Sequence, residues 1–283
     1  MIFLLVGKVN AHKSVCKVFE AKVIMEISNR RISINRELKR VDRPMEKWSE
    51  SVHLLLNYIE QKGFIGAPKL IGTDNNREQL SYVEGETYDS HLIGAIASEE
   101  ALTSAAALLR QYHDATEGFL DANKGKKLHW MLASRGPEEV ICHGDFAPYN
   151  VALDGNKVVG VYDFDAAHPA PRMWDIAYSV YCWAPLKACN YESHGSLPVQ
   201  VSRAKLFCES YGVDARNYTH LVDWVILRIQ ALVYFMVSQA DQGEPKYKQD
   251  IQEGHHLSYL RDIEYLKQNK DEITGILLES MHH

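Results

Sequence analysis

Residues 143–150 read HGDFAPYN and residues 162–165 read YDFD. Asp145 follows an apolar run ending at Cys142, Asn150 lies five residues later, and Asp163 lies thirteen beyond that. Between them, NVALDGN and KVVGVYDFD read as two strands joined at Asp154-Gly155, a hairpin signal. A hairpin folds its strand ends back together, so the three polar side chains can converge on one small volume. Hard dications take oxygen ligands, and Mg²⁺ is commonly held by one or two carboxylates together with phosphate oxygens. Asp163 and the amide oxygen of Asn150 suit that task. Asp145 is not needed for the metal and can orient a substrate hydroxyl and accept its proton. An Asp-x-x-x-x-Asn loop followed by a metal-binding Asp-Phe is the layout of phosphoryl-transfer sites. Taken singly, each of these residues also suits a turn, which Asp and Asn favour.

A rival chemistry uses the same stretch. His143-x-Asp145 is the first half of the two-His-one-carboxylate site of non-heme iron oxygenases, with His168, His194 or His220 as the distal ligand. A third reading is non-catalytic: a kinase-like binding or immunity module without an efficient phosphate grip.

The elements that must position these residues are legible from periodicity. The first 45 residues suggest strands and hairpins in runs such as SVCKVFEAKVIMEI. Residues 48–62 place Trp48, Val52, Leu55, Leu56 and Ile59 on one helical face, and Gly63 ends that helix. APKLIGTDNNREQLSYVEG reads as two strands around an Asp-Asn-Asn turn, closed by Gly85. Residues 98–115 form a helix with Leu102, Ala105, Leu108, Leu109 and Tyr112 inward, and from about 174 onward the pattern is helical. The expected organisation is a strand-rich lobe over 1–84 and a helical lobe over 85–283 that carries the hairpin.

Composition sets outer limits. The chain has 283 residues, a net charge of −6 and ordinary apolar content at 46%. The acidic balance lacks the basic footprint of nucleic-acid binding. Five cysteines with no C-x-x-C pair argue against a disulfide framework or a zinc site and fit a reducing cytoplasm. MIFLLVGK is too short and lacks the flanks of a signal peptide, so it reads as a strand. Leu221 to Val237 is apolar but interrupted by Asp223, Arg228 and Gln230, which reads as a core helix rather than a membrane span. No membrane partner is expected.

HGDFAPYN matches, at every defined position, the H-G-D-x-x-x-x-N motif of the aminoglycoside phosphotransferase family, relatives of choline kinase and the protein kinases. VYDFDAAHPAPRMWDIAY resembles the acidic segment and the R-x-x-D-hydrophobic-Ala run that follow it there. WSESVHLLLNYIEQKGFIGAP, LSYVEGE, LLRQYHDAT and GHHLSYLRDIEYL are similar to a bacterial branch that includes proteins labelled trifolitoxin immunity. The resemblance runs from about residue 40 to the C-terminus.

It implies an α+β, two-lobed protein-kinase-like fold and Mg²⁺-dependent transfer of the γ-phosphoryl group of ATP or GTP to a hydroxyl of a small molecule. By resemblance Asp145 is the catalytic base and Asn150 and Asp163 are the metal ligands, with Asp165 a second acidic residue nearby. His143 braces the loop, and Asp175 ties it to the helix behind. Tyr82 and Val83 in SYVEG fall at the interlobe hinge, whose backbone would bind the purine. The cation that grips the phosphates is assigned to Arg43 in KRVDRPMEKW, in preference to Lys17 paired with Glu37; Glu50 or His53 would steady it. Relatives usually show Arg at the place of Asp42, and no glycine-rich loop is readable. Trp183, Tyr218, Asp223, Trp224 and Tyr234 suggest an acidic, aromatic acceptor pocket suited to an amino sugar or another cation; the aromatics equally suit helix packing.

Overall fold

The computed structural model describes residues 26–27, 30–89, 92–188 and 195–279. Lys17, His194 and the strands expected before residue 26 lie outside the described residues.

The small lobe begins with a two-residue ladder of β1 (Glu26–Ile27) and β2 (Arg30–Arg31). Its main sheet is antiparallel with strand order β3 (Ser33–Asn35), β4 (Arg40–Pro44), β6 (Arg77–Ser81), β5 (Leu70–Asp74). The β5–β6 turn falls at Asn75 and Asn76, both at positive φ, which Asn tolerates better than most residues. Helix α1 (Ser49–Gln61) buries Val52, Leu55, Leu56 and Ile59, the face its spacing predicts.

Chain segment 82–86 crosses to the large lobe and docks on the hairpin. Glu86 exchanges backbone hydrogen bonds with Leu153 at 2.8 and 2.9 Å. The close approach also needs Gly160: a Cβ there would sit 2.4 Å from Val83 Cγ1.

The large lobe is built around α2 (Glu99–Thr116), which packs against α1 and against strands of its own lobe. Ser98 caps it by accepting from the Ala101 N–H at 3.1 Å, and Glu99 and Glu100 complement the dipole in its first turn. After the short α3 (Phe119–Ala122) comes β7 (Val140–Cys142), paired with β10 (His168–Ala170). Between those strands runs the expected hairpin, β8 (Val151–Asp154) and β9 (Lys157–Val161), with Gly155 at positive φ in its turn. Helices α4 (Arg172–Trp183), α5 (Leu197–Tyr211), α6 (Tyr218–Asp241), α7 (Pro245–Gln252), α8 (His255–Gln268) and α9 (Lys270–Glu279) complete the lobe.

Ala215–Asp241 is long and apolar enough to cross a membrane by length and composition. In this fold it packs against α4, α7, α8 and α9 and buries Arg228 midway. The architecture is the two-lobed α+β arrangement expected.

Candidate active site

The loop after β7 is held by one carboxylate. Asp175, fully buried in the first turn of α4, accepts the backbone N–H of His143 at 2.7 Å and of Gly144 at 3.0 Å. It also accepts from His113 Nε2 on α2 at 3.0 Å. Burial alone would raise its pKa, but the His113 bond and the surrounding donors outweigh that and hold it below the usual carboxylate range. Gly144 sits at φ +80° with Ala166 O only 2.2 Å from where a Cβ would be, so no other residue fits.

His143 is a brace. Its Nδ1 accepts the Asp145 N–H at 3.3 Å, which leaves Nε2 as the donor to Tyr162 O at 3.1 Å. Burial lowers its pKa, so it is neutral and has both ring nitrogens engaged. His168 is engaged in the same way: Nδ1 donates to Ala166 O and Nε2 accepts from Trp174 Nε1. Burial brings its pKa down to about 4. His220 is exposed on α6. No described histidine joins His143 and Asp145 in an iron triad, His194 lying outside the described residues, and the two-lobed fold is not the double-stranded β-barrel that the oxygenase reading calls for.

The structure brings Asp145, Asn150 and Asp163 together. Asn150 Nδ2 donates to Asp145 O at 2.9 Å and to Asp145 Oδ2 at 3.0 Å. Tyr149 OH donates to Asp145 Oδ1 at 2.8 Å and lies 3.1 Å from Tyr178 OH. The Asp145 carboxylate is thus fixed in orientation by two donors. Across the hairpin, Tyr162 N–H donates to Asn150 O, and Asp163 follows in the left-handed region at φ 64°, which Asp enters more readily than most residues.

Two oxygens stand out. Asn150 Oδ1 and Asp163 Oδ1 are buried and accept no hydrogen bond. Buried oxygens without donors are rare and ask for a cation or water. Asp163 feels that lack: burial, then the neighbouring Asp165, push its pKa up to about 7, with Arg43 pulling the other way. Oxygen donors in this pattern fit a hard dication.

Arg43 reaches these carboxylates from β4. Its Nη2 bonds Asp165 Oδ1 at 2.8 Å and its Nη1 lies 3.6 Å from Asp163 Oδ1. Its Nε donates to Glu78, whose second oxygen bonds His53 of α1. Burial disfavours the Arg43 charge, but Asp165, Asp163 and Glu78 outweigh it and raise the pKa further. Of the two partners expected from α1, Glu50 is exposed and His53 acts only through Glu78. Glu78 was missed by sequence reasoning; it faces Arg43 directly in the β4–β6 register, a signal that appears only once the strands are paired. Tyr149 was also missed, although it lies inside HGDFAPYN. At the hinge, the Tyr82 N–H already donates to Lys39 O at 2.7 Å, and Val83 lies against β9.

The acceptor side differs from expectation. A cavity of about 170 Å³ opens beside Asp145, lined by Arg135, Trp174, Tyr178, Arg228, Tyr234 and Phe235 among others. Of the five residues suggested for an acidic, aromatic pocket, only Tyr234 lines it. Trp183 and Tyr218 are core, Trp224 packs against the core, and Asp223 pairs with Lys270 at 2.6 Å. Helical periodicity identifies inward faces; it does not say which inward residues border a cavity.

Several known proteins are similar to this chain. A model of the phosphotransferase enzyme family matches residues 117–189, which span the catalytic loop, the hairpin and α4. A trifolitoxin immunity protein of Rhizobium leguminosarum bv. trifolii is 30% identical over 190 residues, covering 63% of this chain and 70% of that protein. A choline/ethanolamine kinase family protein from Mesorhizobium loti superposes with a TM-score of 0.57 at 9% identity, over 84% of this chain and 86% of that one. An ethanolamine kinase from Plasmodium vivax gives 0.52 at 13% identity, over 87% and 79%. At such identities the solved structures speak for the fold alone. With the family motif on the loop that the structure braces, and a relative matched over most of its length, the chain belongs to the phosphotransferase enzyme family.

Proposed function

We propose that this protein transfers the γ-phosphoryl group of ATP or GTP to a hydroxyl of a small molecule, with Mg²⁺ as cofactor. The observation that carries this reading is the pair of buried oxygens that accept no hydrogen bond, Asn150 Oδ1 and Asp163 Oδ1, the latter in ion-pair range of Arg43, next to an oriented Asp145. Those two residues would hold the metal, which when bound supplies charge to neutralise the phosphates. Asp145 accepts the acceptor's hydroxyl proton as that oxygen bonds to the γ-phosphorus and the bond to the β,γ-bridging oxygen breaks, releasing the nucleoside diphosphate. Tyr149 and Asn150 keep Asp145 aimed. Arg43 meets the phosphates from the small lobe, residues 1–84, with Glu78 holding its Nε edge. Tyr82 and Val83 offer the hinge backbone to the purine, Tyr82 through its carbonyl because its N–H is already engaged. The lobe 85–283 supplies base, metal ligands and acceptor cavity. A reducing cytoplasm, where nucleoside triphosphate is abundant, suits the three free cysteines Cys142, Cys182 and Cys208.

Asp145→Asn tests the assignment. The amide cannot take the proton, so turnover should fall by roughly 10²–10⁴ while the Mg²⁺-dependent thermal shift with ATP or GTP is retained. Near wild-type turnover in this variant would remove Asp145 from the role of base.

The immunity protein of Rhizobium leguminosarum bv. trifolii motivates a second reading, a kinase-like module that binds without transferring. Absence of any Mg²⁺-dependent shift with either nucleotide would favour that module over the enzyme.

A further inference from the structure

The cavity beside Asp145 is cationic. Arg228 projects into it from the middle of α6 and is only 5% exposed. Its Nη2 donates to Gly144 O at 2.7 Å, but its Nε is buried with no hydrogen-bond partner. Its guanidinium stacks over Tyr178 at 4.4 Å and lies 5.4 Å from Trp174. Arg135, on the loop before β7, covers the same Trp174 ring at 4.0 Å. Among the described residues, neither guanidinium has a carboxylate within ion-pair distance. The nearest acid of the cavity wall, Asp145, is turned to Tyr149 and Asn150.

Arg135 is exposed and solvent carries part of its charge, but Arg228 is buried without a counter-ion and shares its aromatic wall with that second guanidinium. Burial and then the charge of Arg228 lower the pKa of Arg135, which reports the repulsion between them. Aromatic faces soften it but do not neutralise it. A buried guanidinium with an unpaired Nε suits an anion, and the planar fork of arginine favours a carboxylate or phosphate.

Resting on the phosphotransfer reading above, we propose that the acceptor is a small hydroxylated molecule bearing a carboxylate, held by Arg135 and Arg228 with its hydroxyl turned to Asp145. An amino sugar or quaternary amine would bring a third positive charge beside two arginines and is disfavoured.

Matched probes separate the charge from the scaffold: D-glucuronate, D-glucose and D-glucosamine, with D-gluconate, D-glycerate and choline as a second set. Each is tested by thermal shift without nucleotide and by coupled release of ADP with Mg²⁺ and ATP, repeated with GTP. The carboxylates should stabilise the protein and their neutral and cationic matches should not. At least one carboxylate should be turned over. Arg135→Gln, on an exposed loop, should raise the KM for that acceptor by about tenfold or more and leave the KM for the nucleotide unchanged. Arg135→Glu should reverse the order of D-glucuronate and D-glucosamine in thermal shift. The proposal is overturned if no carboxylate binds better than its neutral match, or if turnover occurs only with the neutral or amino compounds. Carboxylate binding that depends on Arg135, together with no nucleotide shift and no turnover, would keep the anion pocket and overturn the phosphotransfer reading instead.

Discussion

Residues 140–153 are buried without a break, whereas every residue of β3 and β4 is partly exposed. The first region carries the candidate base and a candidate metal ligand; the second carries the cation that reaches toward them. They are held by different forces. In the catalytic loop, backbone N–H groups converge on one buried carboxylate, and each histidine nearby is neutral and engaged on both sides. In the small lobe, order comes from a chain of polar contacts, His53–Glu78–Arg43–Asp165, that spans the two lobes. The loop is fixed by satisfied hydrogen bonds inside a core. The sheet is fixed by ion pairs that a phosphate could replace. That contrast matches the proposed tasks: a proton acceptor must keep one geometry, while a phosphate grip must exchange partners as nucleotide enters and leaves.

The sharpest way to break the comparison is Asp175→Ala. It would leave two backbone donors and His113 Nε2 unpaired in a dry interior. A loss of about 3–5 kcal/mol in denaturant unfolding is expected. A loss below about 1 kcal/mol would mean that the loop is held by packing instead.

The next effect is one of pH. His168 is neutral in the fold with a pKa of about 4, against 6.5 unfolded. A depressed pKa of this kind gives stability that is fully present above pH 6.5 and is lost as pH falls toward 4. At about 1.4 kcal/mol per unit, roughly 2–3 kcal/mol goes by pH 4.5. His113 and His143 shift in the same direction, also through burial. Asp163, raised to about 7, works in the opposite sense, so the wild-type curve alone mixes the two. The difference between wild type and His168→Gln isolates the histidine: the variant's stability should decline less steeply from pH 7 to pH 4.5. Parallel curves would show that His168 can take a proton in place.

Much of this is legible in the amino-acid sequence. The Asp154-Gly155 turn fixed the hairpin, and with it the meeting of Asn150 and Asp163. The apolar faces of α1 and α2 followed from spacing alone. What escaped depends on contacts between distant segments. Glu78 becomes a partner of Arg43 only through strand register, and Glu50, closer in sequence to the expected place, points to solvent. Arg228 read as an interruption in an apolar run; its meaning appears only when α6 lies beside Trp174 and Tyr178. Arg135 sits in a loop with no periodic signal at all. Residues that share one hairpin are legible because the chain itself brings them together. Residues joined by packing of separate helices are not.

Glu78→Gln tests the charged half of the comparison and is expected to do least to stability. The amide can still accept from Arg43 or donate to His53, but it cannot carry the charge between them. Hydrogen bonds to charged partners of this kind contribute about 1.5–3 kcal/mol, and one acceptor survives, so a loss near the lower end is expected. The informative readout is salt. Arg43 and Glu78 are 11% and 1% exposed at their side chains, so wild-type stability should change little between low salt and 0.5 M NaCl. The variant frees Arg43 to lean further on Asp163 and Asp165, the pair beside the proposed metal site. Its thermal shift with ATP and Mg²⁺ should therefore weaken by more than its loss of intrinsic stability explains. If nucleotide binding is untouched, Glu78 only supports the sheet, and the small lobe is held for its own sake rather than poised for phosphate.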